Sequence, residues 1–181
     1  MEFNKYKQKG AYHWNEYENK TVYGKHANRV KGWIRKEGIT LDIGAGDGLI
    51  AYLINAKGID NNKLAVKLAR EKGVNVSYGN AYQLEFKDNS FDNVFMGDVI
   101  EHLEFPDIAI SEVKRVLKKD GYLYVVTPPA KENGLHDKYH YREYKANELI
   151  LYMKISGFEL VGDIEIINEF VRMYGIFKNN T

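Results

Sequence analysis

The segment Leu41-Asp42-Ile43-Gly44-Ala45-Gly46-Asp47-Gly48 constrains the chain more than any other. An apolar run, Ile39–Ile43, passes through three alternating glycines into the helical pattern Leu49–Ala56. Glycine enters left-handed turns at no steric cost and lets backbone amides approach a ligand closely. A strand, a tight glycine turn and a helix predict a βα unit whose loop lies at the carboxyl end of a sheet, where ligands bind. Two common uses of such a loop do not fit. No Gly-Lys-Ser/Thr follows, which excludes a P-loop, and a dinucleotide fingerprint wants a third glycine where Leu49 stands. Asp42 at the strand end would repel a pyrophosphate and suits a ligand with a positive amino group.

The rest of the chain repeats the alternation. Lys57–Asp60 reads as a very short second strand, and Asn62–Lys72 as a helix stopped at Gly73. Val74–Tyr78, Phe91–Met96 and Tyr122–Thr127 read as the third to fifth strands, with a helix over Ile108–Lys119. A helix over Ala146–Ser156 ends at Gly157, a left-handed cap position. Phe158–Ile167 and Val171–Phe177 then read as an antiparallel strand pair. The prediction is an α/β fold with a mainly parallel seven-stranded sheet and a C-terminal antiparallel pair. Ala130–Lys145 has no clear period and falls at the ligand edge, so it is a candidate lid.

At 181 residues the chain is expected to be one domain. It contains no cysteine, which excludes disulfides, a thiolate nucleophile and sulfur-ligated metals. No apolar run reaches the 18 or so residues of a membrane span, and the polar start Met1–Gly10 is not a secretory signal. A cytoplasmic protein with no membrane partner is expected. The net charge of +1 offers no general pull toward nucleic acid, yet residues 1–37 carry +5 and the remainder −4. This divides the chain into a basic, aromatic helical arm, 1–37, and a core, 38–181. The arm's charge either steers an anionic substrate or forms a solvated helical face.

Asp42-Ile43-Gly44-Ala45-Gly46-Asp47-Gly48 resembles the first motif of class I S-adenosyl-L-methionine-dependent methyltransferases. Gly58-Ile59-Asp60, Gly79-Asn80-Ala81, Phe91-Asp92, Asp98-Val99-Ile100-Glu101-His102-Leu103 and Val116-Leu117-Lys118 match later segments in order. His140-Tyr141-Arg142-Glu143-Tyr144, Glu148-Leu149 and Gly157-Phe158 complete the run, and the resemblance covers residues 39 to 177. It is nearest to the branch of quinone-biosynthesis and small-molecule methyltransferases. The resemblance implies a Rossmann-like fold, S-adenosyl-L-methionine as cofactor, and methyl transfer to an oxygen, nitrogen or carbon nucleophile of a small-molecule acceptor.

Roles for individual residues follow from the resemblance. Gly44, Ala45, Gly46 and Gly48 would line the methionine part of the cofactor, and Asp42 would hold its ammonium group. Asp60, with Asn61 beside it, would accept hydrogen bonds from the ribose hydroxyls. Asn80, where the family usually has Asp, would meet the adenine amino group, and the Ala81 amide a ring nitrogen. Asp98 would close the site beside the reactive methyl. Alone, Asp60 is equally a turn or helix-cap residue, and Asn80 a turn residue. Only 12 positions separate Gly48 from Asp60, so the first crossover helix should be about two turns. A crossover that short is at the lower limit and threatens to displace Asp60 from the ribose.

A weakly acidic acceptor also needs a base, and histidine titrates near neutrality. His140 and His102 are the expected catalytic residues, with His136 a further histidine of the lid; each is equally a hydrogen-bonded structural residue. Asp98, Glu101, His102 and either His136 or His140 loosely resemble the metal-binding set of small-RNA 2′-O-methyltransferases, although that set has Glu at the position of Asp98. The expectation is no metal and no nucleic acid. A metal-assisted RNA 2′-O-methyltransferase and a non-catalytic, cofactor-binding partner subunit stand as alternatives. The arm's Tyr6, Tyr12, His13, Trp14, Tyr17 and Tyr23 would cage a sulfonium, stack on an acceptor or simply dock the arm.

Overall fold

The computed structural model describes residues 5–131, 135, 137–169 and 171–180. Three helices come first: α1 (Lys5–Lys9), α2 (Tyr12–Glu18) and α3 (Val22–Trp33). The glycine unit follows as β1 (Thr40–Ile43) and α4 (Leu49–Leu53), then β2 (Lys57–Asp60), α5 (Lys63–Glu71) and β3 (Val76–Tyr78). β4 (Phe91–Gly97) leads through a 3₁₀ turn, Ile100–His102, into α6 (Pro106–Val116) and β5 (Leu117–Thr127). The order ends with α7 (Ala146–Ile155), β6 (Phe158–Leu160), β7 (Glu165–Ile167) and β8 (Arg172–Asn179).

The strands form one sheet in the order β3-β2-β1-β4-β5-β8-β6, with β7 also on β8. β1 to β5 are mutually parallel, and β8 runs antiparallel to β5, β6 and β7. The chain therefore reverses its strand order at β1 and β4, and ligands of such sheets sit in the crevice at that point. The carboxyl ends of these two strands carry the glycine loop and the turn containing Glu101 and His102.

Eight strands are present where seven were expected. The strand expected over Phe158–Ile167 is two, β6 and β7, interrupted by Gly162 at φ +74°. A left-handed residue takes the backbone out of the ladder, and both pieces rejoin on β8. α6 starts earlier than its apolar period, at a proline in its first turn, where the missing N–H costs nothing. α4 is five residues, short of the two turns expected.

That short crossover works because its core is small. Ala45, Ala51, Ala56, Val66, Ala69, Val74 and Val76 pack together beneath α4 and α5. A Cβ on Gly58 would stand 2.7 Å from that of Ala45, and one on Gly48 would stand 2.9 Å from that of Ala69. β2 thereby pairs with β1 in the normal parallel register, Ile43 beside Ile59. Gly48 is left-handed at φ +82° as well as crowded. Gly48→Ala is therefore expected to cost about 3 kcal/mol, from left-handed strain and overpacking together. At this size that lowers the thermal unfolding midpoint by roughly 6–12 °C; an unchanged midpoint would show that α4 moves freely.

The arm shares a core with the sheet. Ala27, Val30 and Ile34 pack with Leu49, Ile50, Phe95, Tyr124 and Tyr174 on one face. α6 and α7 bury Ile110, Val113, Leu149 and Met153 on the other. The candidate lid also folds back. Ala130 N–H donates to the Tyr144 carbonyl (2.9 Å), Tyr141 N–H donates to that of Glu101 (2.8 Å), and the Tyr144 ring is buried.

Candidate functional site

The loop after β1 is held open by its glycines, Gly44, Gly46 and Gly48 lying at φ +76°, +56° and +82°. Gly44 and Ala45 N–H groups both donate to the Ile59 carbonyl (2.9 Å each), tying the loop to β2. Gly46 N–H donates to Asp60 Oδ2 (2.8 Å), and Asn62 N–H donates to Asp60 Oδ1 (2.7 Å). The threatened displacement of Asp60 has not occurred: its carboxylate is at the rim of the glycine loop. Asn62 then caps α5, its side chain accepting from Leu64 and Ala65 N–H. Asn61 is exposed beside it.

Asp42 is buried beneath the loop, and its Oδ2 has no hydrogen-bonding partner among the described residues. Burial first, and then the neighbouring Asp60 charge, push its carboxyl well above the usual range. Asp60 is raised too, by burial, against the lowering effect of its two amide bonds. An unmet buried carboxylate oxygen is costly unless a cation or donor reaches it.

The glycines divide by environment. Gly44 is exposed and flanked by Val99, whose Cγ2 is 2.4 Å from where a Cβ would be. Gly46 is covered by the Tyr6 hydroxyl, 2.3 Å from its would-be Cβ. Gly48 faces Ala69 and Val74, so its surroundings are protein and it shapes the loop from behind.

Asp47 belongs to the arm's docking. His13 donates to it from backbone N–H and from Nδ1, each at 3.0 Å, and Trp14 Nε1 donates to its carbonyl (2.8 Å). Around this clasp His13 stacks on Tyr23 at 4.6 Å and lies 4.0 Å from Tyr12, centroid to centroid. Burial first, then the charges of nearby carboxylates, raise the hydroxyls of Tyr6, Tyr12 and Tyr23. They remain protonated and face Asp47, Asp60 and Asp98 with neutral O–H groups. Neither His13 nor Asp47 carried a signal for this contact in the sequence.

At the opposite rim, Asn80 is exposed and its Oδ1 accepts from Tyr82 N–H (3.0 Å), an Asx turn. Ala81 is half-buried and packs against the main core. Asp98 is left-handed at φ +53°, donates its N–H to the Val126 carbonyl (2.8 Å) and pairs with Arg172 Nε at 2.6 Å. Arg172 comes from β8 and stood in no motif.

Three residues after Asp98 a second group begins. Ligand atoms of Glu101, His102 and His140 lie within 4.8 Å of one another. The two imidazoles meet edge to face, 4.7 Å between centroids. His102 Nδ1 donates to the Tyr139 carbonyl (3.1 Å), and burial lowers its pKa. His140 Nδ1 donates to Glu143 Oε1 (2.5 Å), whose carboxylate side chain is buried. Glu101 is fully buried, accepts from the Thr127 hydroxyl (2.9 Å), and is raised well above the usual range by burial and then by Asp98. Asp98 is not part of this group, because Arg172 holds it. His136 lies outside the described residues. The sequence reading missed Glu143 as a partner of His140, although a carboxylate three residues on was visible.

Comparison with known proteins agrees with this geometry. The family model described as a methyltransferase domain matches residues 41–125. An uncharacterized protein of Methanocaldococcus jannaschii is 37% identical over 109 residues, 60% of this chain and 53% of that protein. The ubiquinone biosynthesis O-methyltransferase of Bartonella bacilliformis is 31% identical over 98 residues, covering 48% of this chain and 40% of that enzyme. The chain spans about half the length of the curated relatives it matches. A solved structure from Thermotoga maritima, described as a SAM-dependent methyltransferase and possible histamine N-methyltransferase, superposes with a TM-score of 0.76. It shares 26% identity and covers 93% of this chain and 97% of its own. The family and fold imply S-adenosylmethionine as the cofactor. With the glycine loop, Asp60 at its rim and the parallel sheet reversing at β1 and β4, the chain belongs to the class I S-adenosylmethionine-dependent methyltransferases.

Proposed function

We propose that this protein methylates a small-molecule acceptor. The observation that carries the reading is the buried Asp42 carboxylate, with an unmet oxygen beneath a glycine loop whose rim is Asp60. A ligand with an ammonium group near Asp42 and a diol near Asp60 satisfies both. The cofactor supplies, when bound, a methyl group already activated on a sulfonium. The chain's own work is positioning and exclusion of water. Gly44 and Gly46 leave room for the methionine moiety, Asp42 takes its ammonium, and Asp60 with Asn61 takes the ribose. Asn80 and Ala81 border the adenine, and Asp98, oriented by Arg172, closes the methyl end. The tyrosines of the arm present neutral ring faces and hydroxyls to a cationic ligand. His102 and His140 are the groups that act on the acceptor.

Thermal unfolding with S-adenosylhomocysteine tests this, with NAD as control. Saturation at 100 times the dissociation constant stabilises by about 2.7 kcal/mol, roughly 5–10 °C here. A shift with S-adenosylhomocysteine alone is expected; no shift, or an equal shift with NAD, overturns the reading.

A pH dependence follows from the raised carboxyls of Asp42 and Asp60. A folded-state pKa above the unfolded value means that the native protein binds more protons in that window. The free protein therefore loses stability as pH rises from the unfolded carboxyl pKa through the raised folded one. An ammonium ligand favours the ionised carboxylate, so binding releases protons and affinity rises with pH across the same window. Calorimetry in two buffers of different ionisation enthalpy reads the release directly; proton uptake would contradict the assignment of Asp42.

A further inference from the structure

We propose that Glu101, His102 and His140 form a divalent-cation site on the acceptor side of the cradle, which binds an acceptor hydroxyl. The argument starts from hydrogens. The Tyr139 carbonyl can only accept, so the hydrogen of a neutral His102 ring is on Nδ1. The Glu143 carboxylate likewise draws the hydrogen of His140 to Nδ1. Each ring is then left with a lone pair on Nε2 as the atom it has to offer. Glu101 adds a carboxylate, one oxygen of which already accepts from Thr127. Three Lewis-basic groups therefore converge within 4.8 Å, with no hydrogen to place between them. The nearby cation, Arg172, is spent on Asp98. Such a convergence is repulsive until a positive charge enters it.

The surroundings are those of a metal site. Histidine ligands usually donate their other N–H to a carbonyl or carboxylate, which fixes the ring and raises its basicity. Both histidines do so here, and His140 uses a buried carboxylate. Two imidazoles and one carboxylate suit zinc, manganese, iron(II) or cobalt(II) better than calcium, which prefers oxygen throughout. Three protein ligands leave open positions for an exogenous oxygen.

The site's place gives it a task. Val99, two residues before Glu101, flanks Gly44 of the cradle, so this group adjoins the presumed methyl donor's loop. Resting on the methyltransferase reading, the inference narrows the acceptor to a hydroxyl compound. A cation there acidifies the bound hydroxyl. Its O–H proton leaves to water, the oxygen lone pair forms the new O–CH3 bond, and the S–CH3 pair stays on sulfur as a neutral thioether.

The test uses the full chain, stripped with chelator and titrated with cobalt(II). One equivalent is expected to bind with visible d–d absorption, to be lost in His140→Ala, and to bind about 10–100-fold more weakly in Glu143→Gln. No absorption at millimolar cobalt, or equal binding in His140→Ala, overturns the site. If His140→Ala does not fold, Glu143→Gln decides: an affinity equal to the parent's overturns it. Thermal unfolding with S-adenosylhomocysteine on the same samples separates the two readings. A shift without cobalt binding removes the cation alone, whereas cobalt binding without a shift removes the methyl-transfer reading and the hydroxyl acceptor with it.

Discussion

Gly46→Val is expected to abolish the stabilisation that S-adenosylhomocysteine gives this protein. Gly46 lies at φ +56°, and its Cα faces the Tyr6 hydroxyl, 2.3 Å from where a Cβ would be. A β-branched residue is strained there and fills the space between loop and arm. The Tyr6 side chain can swing away, so folding survives; the ligand has no such freedom, because the methionine moiety needs the same volume. Gly73→Ala is the matched control. Gly73 is also left-handed, at φ +76°, with nothing within 4 Å of a would-be Cβ. It should lose about 1–2 kcal/mol from strain alone and keep the full ligand shift. If Gly46→Val retains the shift, the cradle is elsewhere.

Asp60→Ala should weaken S-adenosylhomocysteine by roughly 10²–10⁴-fold. Two hydrogen bonds to a charged acceptor are worth about 1.5–3 kcal/mol each. In the free protein that carboxylate holds Gly46 and Asn62 N–H. The substitution therefore also loosens the loop, and the unfolding midpoint of the free variant should fall. Calorimetric titration of the folded variant separates the two effects. A lowered midpoint with affinity within threefold of the parent would make Asp60 a loop anchor and nothing more.

The arm gives these variants a common background. Its hold on the cradle is the clasp of His13 and Trp14 on Asp47, with Tyr6 over Gly46. α1 and α2 meet at Gly10, left-handed at φ +61° and open on its Cβ side. The cofactor's binding surface is thus partly supplied by residues outside the sheet, and the electrostatics of the cradle, carboxylates facing neutral tyrosines, belong to both parts.

Much of this was legible in the chain alone, because it is written in local patterns. Alternating apolar runs and helical periods predict the parallel sheet, and three glycines after a strand predict the turn. Asp42 and Asp60 stand at strand ends, so their places at the loop follow once the strands are known. The small residues of the second crossover, Ala45, Ala51, Ala56 and Ala69, were equally visible. What they allow, a five-residue helix and an undisplaced Asp60, needs packing to be seen. Partner choice was not legible at all. Four aspartates, two glutamates and three histidines are chemically alike when read in a line. Only the closed fold sends Asp47 to His13, Asp98 to Arg172 and His140 to Glu143, and brings Glu101 and two imidazoles together. The sequence by itself determined the scaffold and the cradle, whose geometry depends on neighbours along the chain. The tertiary structure decided which side chains meet across it, because those contacts depend on how distant elements pack.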